Sequence, residues 1–94
     1  MQFDWDENKS KTNFVKHGVS FETAKLVFDD PNSLSLQDRH KEGEERWQTL
    51  GLINGVVILL VAHTFHERDN IEVIRIISAR KATKKESIQY EEFL

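Results

Sequence analysis

The sequence predicts an α+β fold in which helices pack against an antiparallel β-sheet meander. Three observations predict this class: two capped helical segments come first, several β-rich segments follow, and a last capped helix ends the chain. The 94 residues, with a mass of 11.0 kDa, suffice for one modest core. We therefore expect residues 1–94 to form a single domain.

The first part of the chain is predicted to hold a short strand and two helices. Residues 2–5 alternate between polar and aromatic, as in a short edge strand or an extended segment that leads into the first helix. Asp6 is placed to cap a first helix that ends at His17, where Gly18 supplies the left-handed residue that commonly follows a helix. Ser20 is placed to cap a second helix with one apolar face.

A predicted strand at residues 33–36 and a polar stretch at residues 37–44 come next. The strand alternates apolar and polar side chains, whereas the polar stretch contains Gly43 and is typical of an exposed loop. We therefore expect the chain to leave the sheet at residue 37 and to return to it near residue 46.

The pair Asn54-Gly55 is the clearest turn signal in the sequence. It lies between apolar segments 46–53 and 56–64, and it favours a two-residue type I′ hairpin. If the turn closes in this way, Arg46 lies directly opposite His63 on the same face of the sheet. The sequence therefore predicts a cation beside an imidazole.

The chain is predicted to end with a strand at residues 71–78 and a helix. Thr83 and Glu86 have the spacing of a capping box, which marks the start of the helix. Tyr90, Phe93 and Leu94 are expected to form the apolar face of that helix.

Cations are concentrated between the last strand and the last helix. Residues 75–85 carry five of the thirteen Lys and Arg residues and none of the sixteen Asp and Glu residues. The whole chain has a net charge of -3, which argues against general coating of nucleic acid. The cluster therefore indicates a local site for an anion such as a phosphate.

Several classes of protein and site are disfavoured by the composition. The chain has no cysteine, which excludes disulfides and thiolate chemistry and fits the cytoplasm. The apolar run at residues 56–62 is much shorter than the roughly 20 residues of a membrane helix. His63 and His66, with Glu67 and Asp69, lack a recognised metal-ligand spacing. We expect no metal, no cofactor and no membrane contact.

A set of motifs extends over nearly the whole chain in a fixed order. They are Phe3-x-Trp5-Asp6-x-x-Lys9-x-x-x-Asn13-x-x-Lys16-His17-Gly18-Val19-x-Phe21, then Glu45-Arg46, then Arg75-Ile-Ile-Ser-Ala-Arg80-Lys81-Ala-Thr with Glu86 and Tyr90. Together they resemble the BrnT-type toxins of type II toxin-antitoxin systems. The resemblance implies a RelE-like fold and an endoribonuclease that cleaves RNA and inhibits translation and growth. It also implies neutralisation by a BrnA-type ribbon-helix-helix antitoxin, through which operator DNA is contacted indirectly.

The residues offer each group that RNA cleavage without a metal requires. The ribose 2′-hydroxyl is the nucleophile, so the site needs a base, an acid and cations that stabilise the phosphorane, and the products are a 2′,3′-cyclic phosphate and a 5′-hydroxyl. Histidine serves in either proton-transfer role, and Glu45 is suited to act as a base or to orient a neighbouring side chain. The expected catalytic residues are Lys16, His17, Glu45, Arg46, Arg75 and Arg80, with His63 and Lys81 as secondary candidates.

Each of these assignments has a structural alternative. His17 has the position of a residue that complements a helix dipole, and His63 ends an apolar strand where a hydrogen-bonded structural role is common. Arg75 and Arg80 are five residues apart, so they share a site only if the chain turns after Ser78. The alternative function is a non-catalytic module that binds nucleic acid or protein in complex formation and autorepression.

Overall fold

A five-stranded mixed sheet forms the centre of the fold. The computed structural model describes residues 1–41 and 44–94 of the chain, and Gly43 of the predicted loop lies outside them. The order of the strands across the sheet is β1-β5-β4-β3-β2. The strands are β1 (Gln2–Asp4), β2 (Leu34–Lys41), β3 (Glu44–Ile53), β4 (Val57–Arg68) and β5 (Ile71–Lys81).

Strands β2 to β5 form the predicted antiparallel meander, but β1 does not follow that pattern. It pairs with β5 in parallel, with Phe3 opposite Ile74 and Asp4 opposite Arg75. The prediction of a purely antiparallel sheet was therefore wrong at this edge. The helices that follow β1 return the chain to the far edge of the sheet, so β1 is free to run in the same direction as β5.

The helices begin where the capping signals predicted, and the first also ends at the predicted residue. The second was predicted as one helix, but it changes to a 3₁₀ helix at Lys25. The helices are α1 (Glu7–His17), α2 (Phe21–Ala24), a 3₁₀ helix (Lys25–Asp29) and α3 (Lys84–Glu91). The Asp6 carboxylate accepts hydrogen bonds from the first turn of α1, and Gly18 ends this helix with a φ of 72°. Thr83 and Glu86 form the predicted capping box of α3. Within the described residues, no helix is long and apolar enough to span a membrane.

The main core lies on one side of the sheet, which we call the helical face. There α2 and the 3₁₀ helix bury Phe21, Ala24 and Val27 against β3, β4 and β5. The opposite side, which we call the groove face, carries a smaller core. It contains Leu50 and Leu60 under Tyr90 of α3.

The apolar face predicted for α3 is confirmed at only one of its three positions. Tyr90 is buried and its hydroxyl donates a hydrogen bond to Asp30, whereas Phe93 and Leu94 are 67% and 68% exposed. These two residues lie beyond Glu91, where the helix has already ended, so they do not follow its buried face.

The central hairpin has the predicted turn but a different register. Asn54 and Gly55 adopt positive φ angles, and the N–H of Val56 donates to the carbonyl of Ile53. The ladder, however, resumes with Ile53 opposite Val57, one residue later than predicted. A shift of one residue places every side chain of a strand on the other face.

The shift overturns the predicted proximity of Arg46 and His63. Arg46 lies opposite Thr64, and His63 lies opposite Trp47. The cation and the imidazole therefore occupy different faces of the sheet.

The polar segment from Gln37 onward is part of the sheet. β2 continues to Lys41 and pairs with β3, which begins at Glu44, so the predicted loop was wrong for these described residues. β2 is an edge strand, and polar or charged side chains are common on edge strands because they discourage pairing with other chains. A polar composition therefore did not exclude a strand here.

Replacing Gly51 with alanine is expected to destabilise the fold by about 1–3 kcal/mol. A Cβ atom at this position would lie 2.5 Å from Cγ1 of Val27 and 2.8 Å from its carbonyl oxygen. The 3₁₀ helix would have to move away from β3 and disturb the main core. The free energy of unfolding in urea measures the effect, and an unchanged midpoint would show that the contact is not tight.

Candidate active site

The side chain of Asn13 attaches α1 to the edge of β5. Its Nδ2 donates to the carbonyls of Val19 and Ala79 at 2.7 and 2.8 Å, and its Oδ1 accepts from the N–H of Ala79 at 3.2 Å. β1 covers this edge only at residues 73–75, so the Asn13 amide continues the pairing with a side chain. The contact fixes the last turn of α1, which carries His17, beside β5.

The C-terminal end of α1 and the groove face of the sheet enclose a cavity of ≈ 200 Å³. Polar groups from three elements meet there: His17 from α1, Gln48 from β3, and Ser78 and Arg80 from β5. The described hydrogen bonds include none from the His17 imidazole, so it is not engaged in capping the helix carbonyls. The cavity is lined by His17, Gln48, Leu60, Ala62, Ser78, Ala79 and Arg80.

Arg80 is held in the cavity by Glu86 of α3. Its Nη1 and Nη2 donate to the two carboxylate oxygens of Glu86 at 2.8 and 3.0 Å. The hydrogen bond from Arg80 lowers the pKa of Glu86 to about 2 from a usual value of 4.5, and the same bond raises the pKa of Arg80. Glu86 also accepts from the N–H of Thr83, so the capping box orients the guanidinium through this carboxylate.

A β-bulge places Arg75 and Arg80 on the same face. His63 pairs with Ile76 and Ala62 pairs with Ser78, so Ile77 is the extra residue. A shared site was predicted to require a turn after Ser78. The chain does not turn there; β5 remains a strand to Lys81. The bulge has the same effect, because one inserted residue reverses the alternation of the side chains beyond it.

Two further arginines form a cationic row on the groove face. Arg46 and Arg75 lie on either side of Thr64, and all three share the groove face. Thr64 is four residues from Leu60, the neighbour of Arg80, so about 13 Å separates this row from Arg80 along the strands. Arg75 donates to the Asp4 carboxylate at 2.6 Å.

Lys16 lies next to the cavity in a second concave surface along α1. This surface also contains Lys9, and it shares His17 and Ser78 with the cavity. Of the predicted site residues, the structure therefore brings Lys16, His17 and Arg80 to the cavity and its border. Arg46 and Arg75 share the groove face but line neither surface.

The other three predicted residues lie on the helical face. Lys81 is opposite Leu59, a residue of the main core, and Glu45 is two residues from Trp47 on β3. His63 is opposite Trp47 and is only 3% exposed. Because side chains alternate along a strand, these residues point away from the cavity.

His63 is part of a buried hydrogen-bond chain. Its Nδ1 is 3.0 Å from the carbonyl of Thr64, which only accepts, so Nδ1 carries the proton. Nε2 therefore accepts from the Thr49 hydroxyl at 2.7 Å, and Thr49 accepts from Ser35 at 2.8 Å. Burial lowers the pKa of His63, which favours the neutral ring. Every ring nitrogen has a partner within the protein.

Three residues at the site were not among the predicted ones. Gln48 follows Arg46 by two positions, so strand alternation alone would have placed both on one face. Ser78 lies within the cationic segment 75–85, but the face of the sheet on which it lies depends on the bulge. Glu86 was identified only as a helix cap, because no local pattern relates it to Arg80 six residues earlier.

Replacing Glu86 with glutamine should remove part of the pH dependence of stability. Since the pKa of Glu86 in the folded protein is about 2, its contribution is present above pH 4.5 and is lost as the pH falls from 4.5 to 2. The expected loss at neutral pH is about 1–2 kcal/mol, reduced from the full shift because water reaches Arg80, whose side chain is 39% exposed. Urea unfolding at several pH values measures it.

Glu91, an exposed acid on the same helix, provides the control for this experiment. Glu91→Gln should retain the wild-type decline in stability below pH 4.5. If Glu86→Gln shows the same decline as wild type, the ion pair with Arg80 does not stabilise the fold.

The fold and the site together define a small α+β protein with a cationic cavity that contains one histidine. The sequence matches a protein-family model over residues 5–86, and that family is described as the ribonuclease toxin BrnT of type II toxin-antitoxin systems. The chain therefore belongs to the BrnT toxin family. No curated protein matches the sequence.

A solved structure supports the same assignment. The fold is similar to the crystal structure of the ribonuclease toxin BrnT from Brucella abortus, with a TM-score of 0.61 and 27% sequence identity. The match covers 89% of this chain and 99% of that one. As a member of a type II toxin family, the protein is expected to have an antitoxin partner.

Proposed function

We propose that this chain is a metal-independent endoribonuclease whose reaction takes place in the cavity between α1 and the groove face. The observation that carries the proposal is that His17 and Arg80 line the same cavity. One supplies a group that transfers protons near neutral pH, and the other supplies a fixed positive charge.

The proposed reaction begins with the neutral imidazole of His17. It takes the proton of a ribose 2′-hydroxyl as that oxygen forms a bond to the adjacent phosphorus. The bond from phosphorus to the 5′-oxygen then breaks, and the departing oxygen takes a proton from solvent. The products are a 2′,3′-cyclic phosphate and a 5′-hydroxyl, and no electron acceptor is needed.

Arg80 is proposed to stabilise the charge of the phosphorane, and Arg75 is proposed to add positive charge from further along the groove face. Arg80 donates through two nitrogens to Glu86 and through one of them also to the Lys81 carbonyl, and Arg75 donates through one nitrogen to Asp4. Each guanidinium has five N–H donors, so further donors remain. A carboxylate partner fixes the plane of the guanidinium before the substrate arrives, so little reorganisation is required. Lys16 adds positive charge at the border of the cavity, and Arg46 adds it further along the groove face.

The proposed site leaves out three of the residues predicted from the sequence. Glu45 and Lys81 lie on the helical face, and the buried His63 donates and accepts hydrogen bonds within the protein. A catalytic role for any of them would require access from the side of the sheet opposite Arg80.

The proposed partner is a BrnA-type antitoxin with a ribbon-helix-helix DNA-binding region. We infer that it neutralises the toxin by covering the cationic cavity, and that the pair contacts operator DNA through the antitoxin. Membership of a type II toxin family supports the expectation of an antitoxin. The proposal also includes a RelE-like relationship of the fold and inhibition of translation through RNA cleavage.

The requirement for a 2′-hydroxyl tests the proposed reaction. The purified protein is incubated with a single-stranded RNA and with the same sequence carrying 2′-O-methyl groups. We expect cleavage of the RNA alone and binding of both. Binding of both with cleavage of neither would favour the alternative, a non-catalytic module, and cleavage of both would exclude attack by the 2′-oxygen.

A further inference from the structure

A second concave surface follows α1 away from the cavity. It has a volume of ≈ 320 Å³, it carries two lysines, and it is continuous with the cavity through His17 and Ser78. We propose that Lys9 and Lys16 bind phosphates of the single-stranded RNA next to the cleaved bond. The inference rests on the proposed ribonuclease function, and we call this surface the α1 groove.

The anchoring of α1 determines which of its side chains face the α1 groove. Asn13 contacts Ala79 on β5, so this side of the helix faces the sheet. Lys9 precedes Asn13 by four residues and Lys16 follows it by three, which places all three on one side of the helix. The backbone of α1 therefore places the two lysines along the seam between α1 and β5, one on each side of Asn13.

The spacing of the lysines suits a nucleic-acid strand. Seven residues of α-helix separate their Cα atoms by about 10.5 Å. A stacked strand advances by about 3.4 Å per nucleotide, so this length corresponds to about three nucleotides. Two phosphates of one strand therefore come within reach of two flexible lysine side chains.

The β5 strand contributes an apolar wall to the α1 groove. Ile77, the extra residue of the bulge, lines the groove together with Ser78. Every base has an apolar face, so an isoleucine beside a row of cations suits a strand whose bases are unpaired. The same bulge places Arg75 and Arg80 together on the groove face. One irregularity of β5 therefore shapes both the cavity and the α1 groove.

Lys11 offers a matched control on the same helix. It is exposed like Lys9 and has the same charge, but it does not line the α1 groove. A general electrostatic effect would respond equally to the loss of either lysine. A specific phosphate contact would respond only to the loss of Lys9.

The test measures binding of a labelled single-stranded oligonucleotide of about 12 nucleotides whose 2′-O-methyl groups prevent cleavage. For Lys9→Ala, we expect Kd to rise by about 3- to 10-fold and the slope of log K against log salt to lose about 0.7. Lys11→Ala should leave both quantities near wild type. Equal effects of the two substitutions, or no effect of Lys9→Ala, would overturn the proposal.

A cleavage assay separates this inference from the proposed function. A dinucleotide has one phosphate, at the bond that is cleaved, and none beyond it for Lys9 to bind. Lys9→Ala should therefore cleave it at the wild-type rate while losing efficiency on the longer RNA. A similar loss on both substrates would contradict a groove that binds only flanking phosphates. If wild type cleaves neither substrate, the proposed function fails, whereas the binding comparison still decides whether the α1 groove holds phosphates.

Discussion

Replacing His17 with glutamine is expected to lower kcat/KM for RNA cleavage by about 10²- to 10⁴-fold. Glutamine keeps a polar side chain of similar length but does not accept and release a proton near neutral pH. His17 is exposed at the end of α1, so the fold should retain its stability. Binding of the uncleavable 2′-O-methyl oligonucleotide should change by less than about 3-fold, because the cations remain in place.

His66 provides the matched control for this experiment. It is an exposed histidine on the groove face, opposite Val73 and far along β4 from the cavity. His66→Gln should cleave RNA at the wild-type rate. Wild-type activity in His17→Gln would show that another group transfers the proton and would contradict the role of the cavity.

Replacing Asn13 with alanine is expected to have the largest effect on stability among the polar substitutions considered. Asn13 is 7% exposed and makes three hydrogen bonds to the backbone. Its loss leaves the carbonyls of Val19 and Ala79 and the N–H of Ala79 without this partner. Since an unsatisfied buried group costs about 1–3 kcal/mol, we expect a loss of about 3 kcal/mol after partial rearrangement.

Asn13→Ala should also reduce RNA cleavage at temperatures where the protein remains folded, because α1 no longer holds His17 beside β5. Urea unfolding measures the stability, and an activity assay well below Tm measures the cleavage. Asn8→Ala is the control for stability, since Asn8 is an exposed residue of the same type on the same helix. Similar stabilities of the two variants would mean that the side-chain bridge to β5 contributes little.

Local signals in the sequence were sufficient for the starts of the helices, the end of α1 and the turn of the hairpin. The N-cap at Asp6, the left-handed Gly18 and the capping box at Thr83 all depend on contacts within a few residues. Asn54-Gly55 likewise formed its turn as predicted. Such motifs are formed by residues that are close in sequence, so they can be identified without knowing how the rest of the chain packs.

The register of the strands depended on contacts that no local pattern contains. One additional residue after the Asn54-Gly55 turn moved Arg46 and His63 to opposite faces, and the bulge at Ile77 brought Arg75 and Arg80 to the same one. Both adjustments allow apolar side chains to reach the two cores on either side of the sheet. Burial across the whole sheet therefore decided the register.

The residue types of the site could be predicted from the sequence, but most of the contacts between them could not. His17 and Arg80 were identified from the sequence, yet their meeting depends on the bridge from Asn13 to β5. His63 was a secondary candidate, and only the packing of β3 against β4 shows its bond to Thr49. Glu86 was assigned only to a helix cap. Its ion pair with Arg80 requires β5 to continue as a strand as far as Lys81.

The identity of the RNA ends tests the proposed mechanism most directly. Purified wild-type protein and His17→Gln are incubated with a defined single-stranded RNA in EDTA, and the fragments are analysed by mass spectrometry. The mechanism predicts fragments with 2′,3′-cyclic phosphate and 5′-hydroxyl ends from wild type and almost none from the variant. Fragments with 3′-hydroxyl ends that form only after magnesium is added would contradict it.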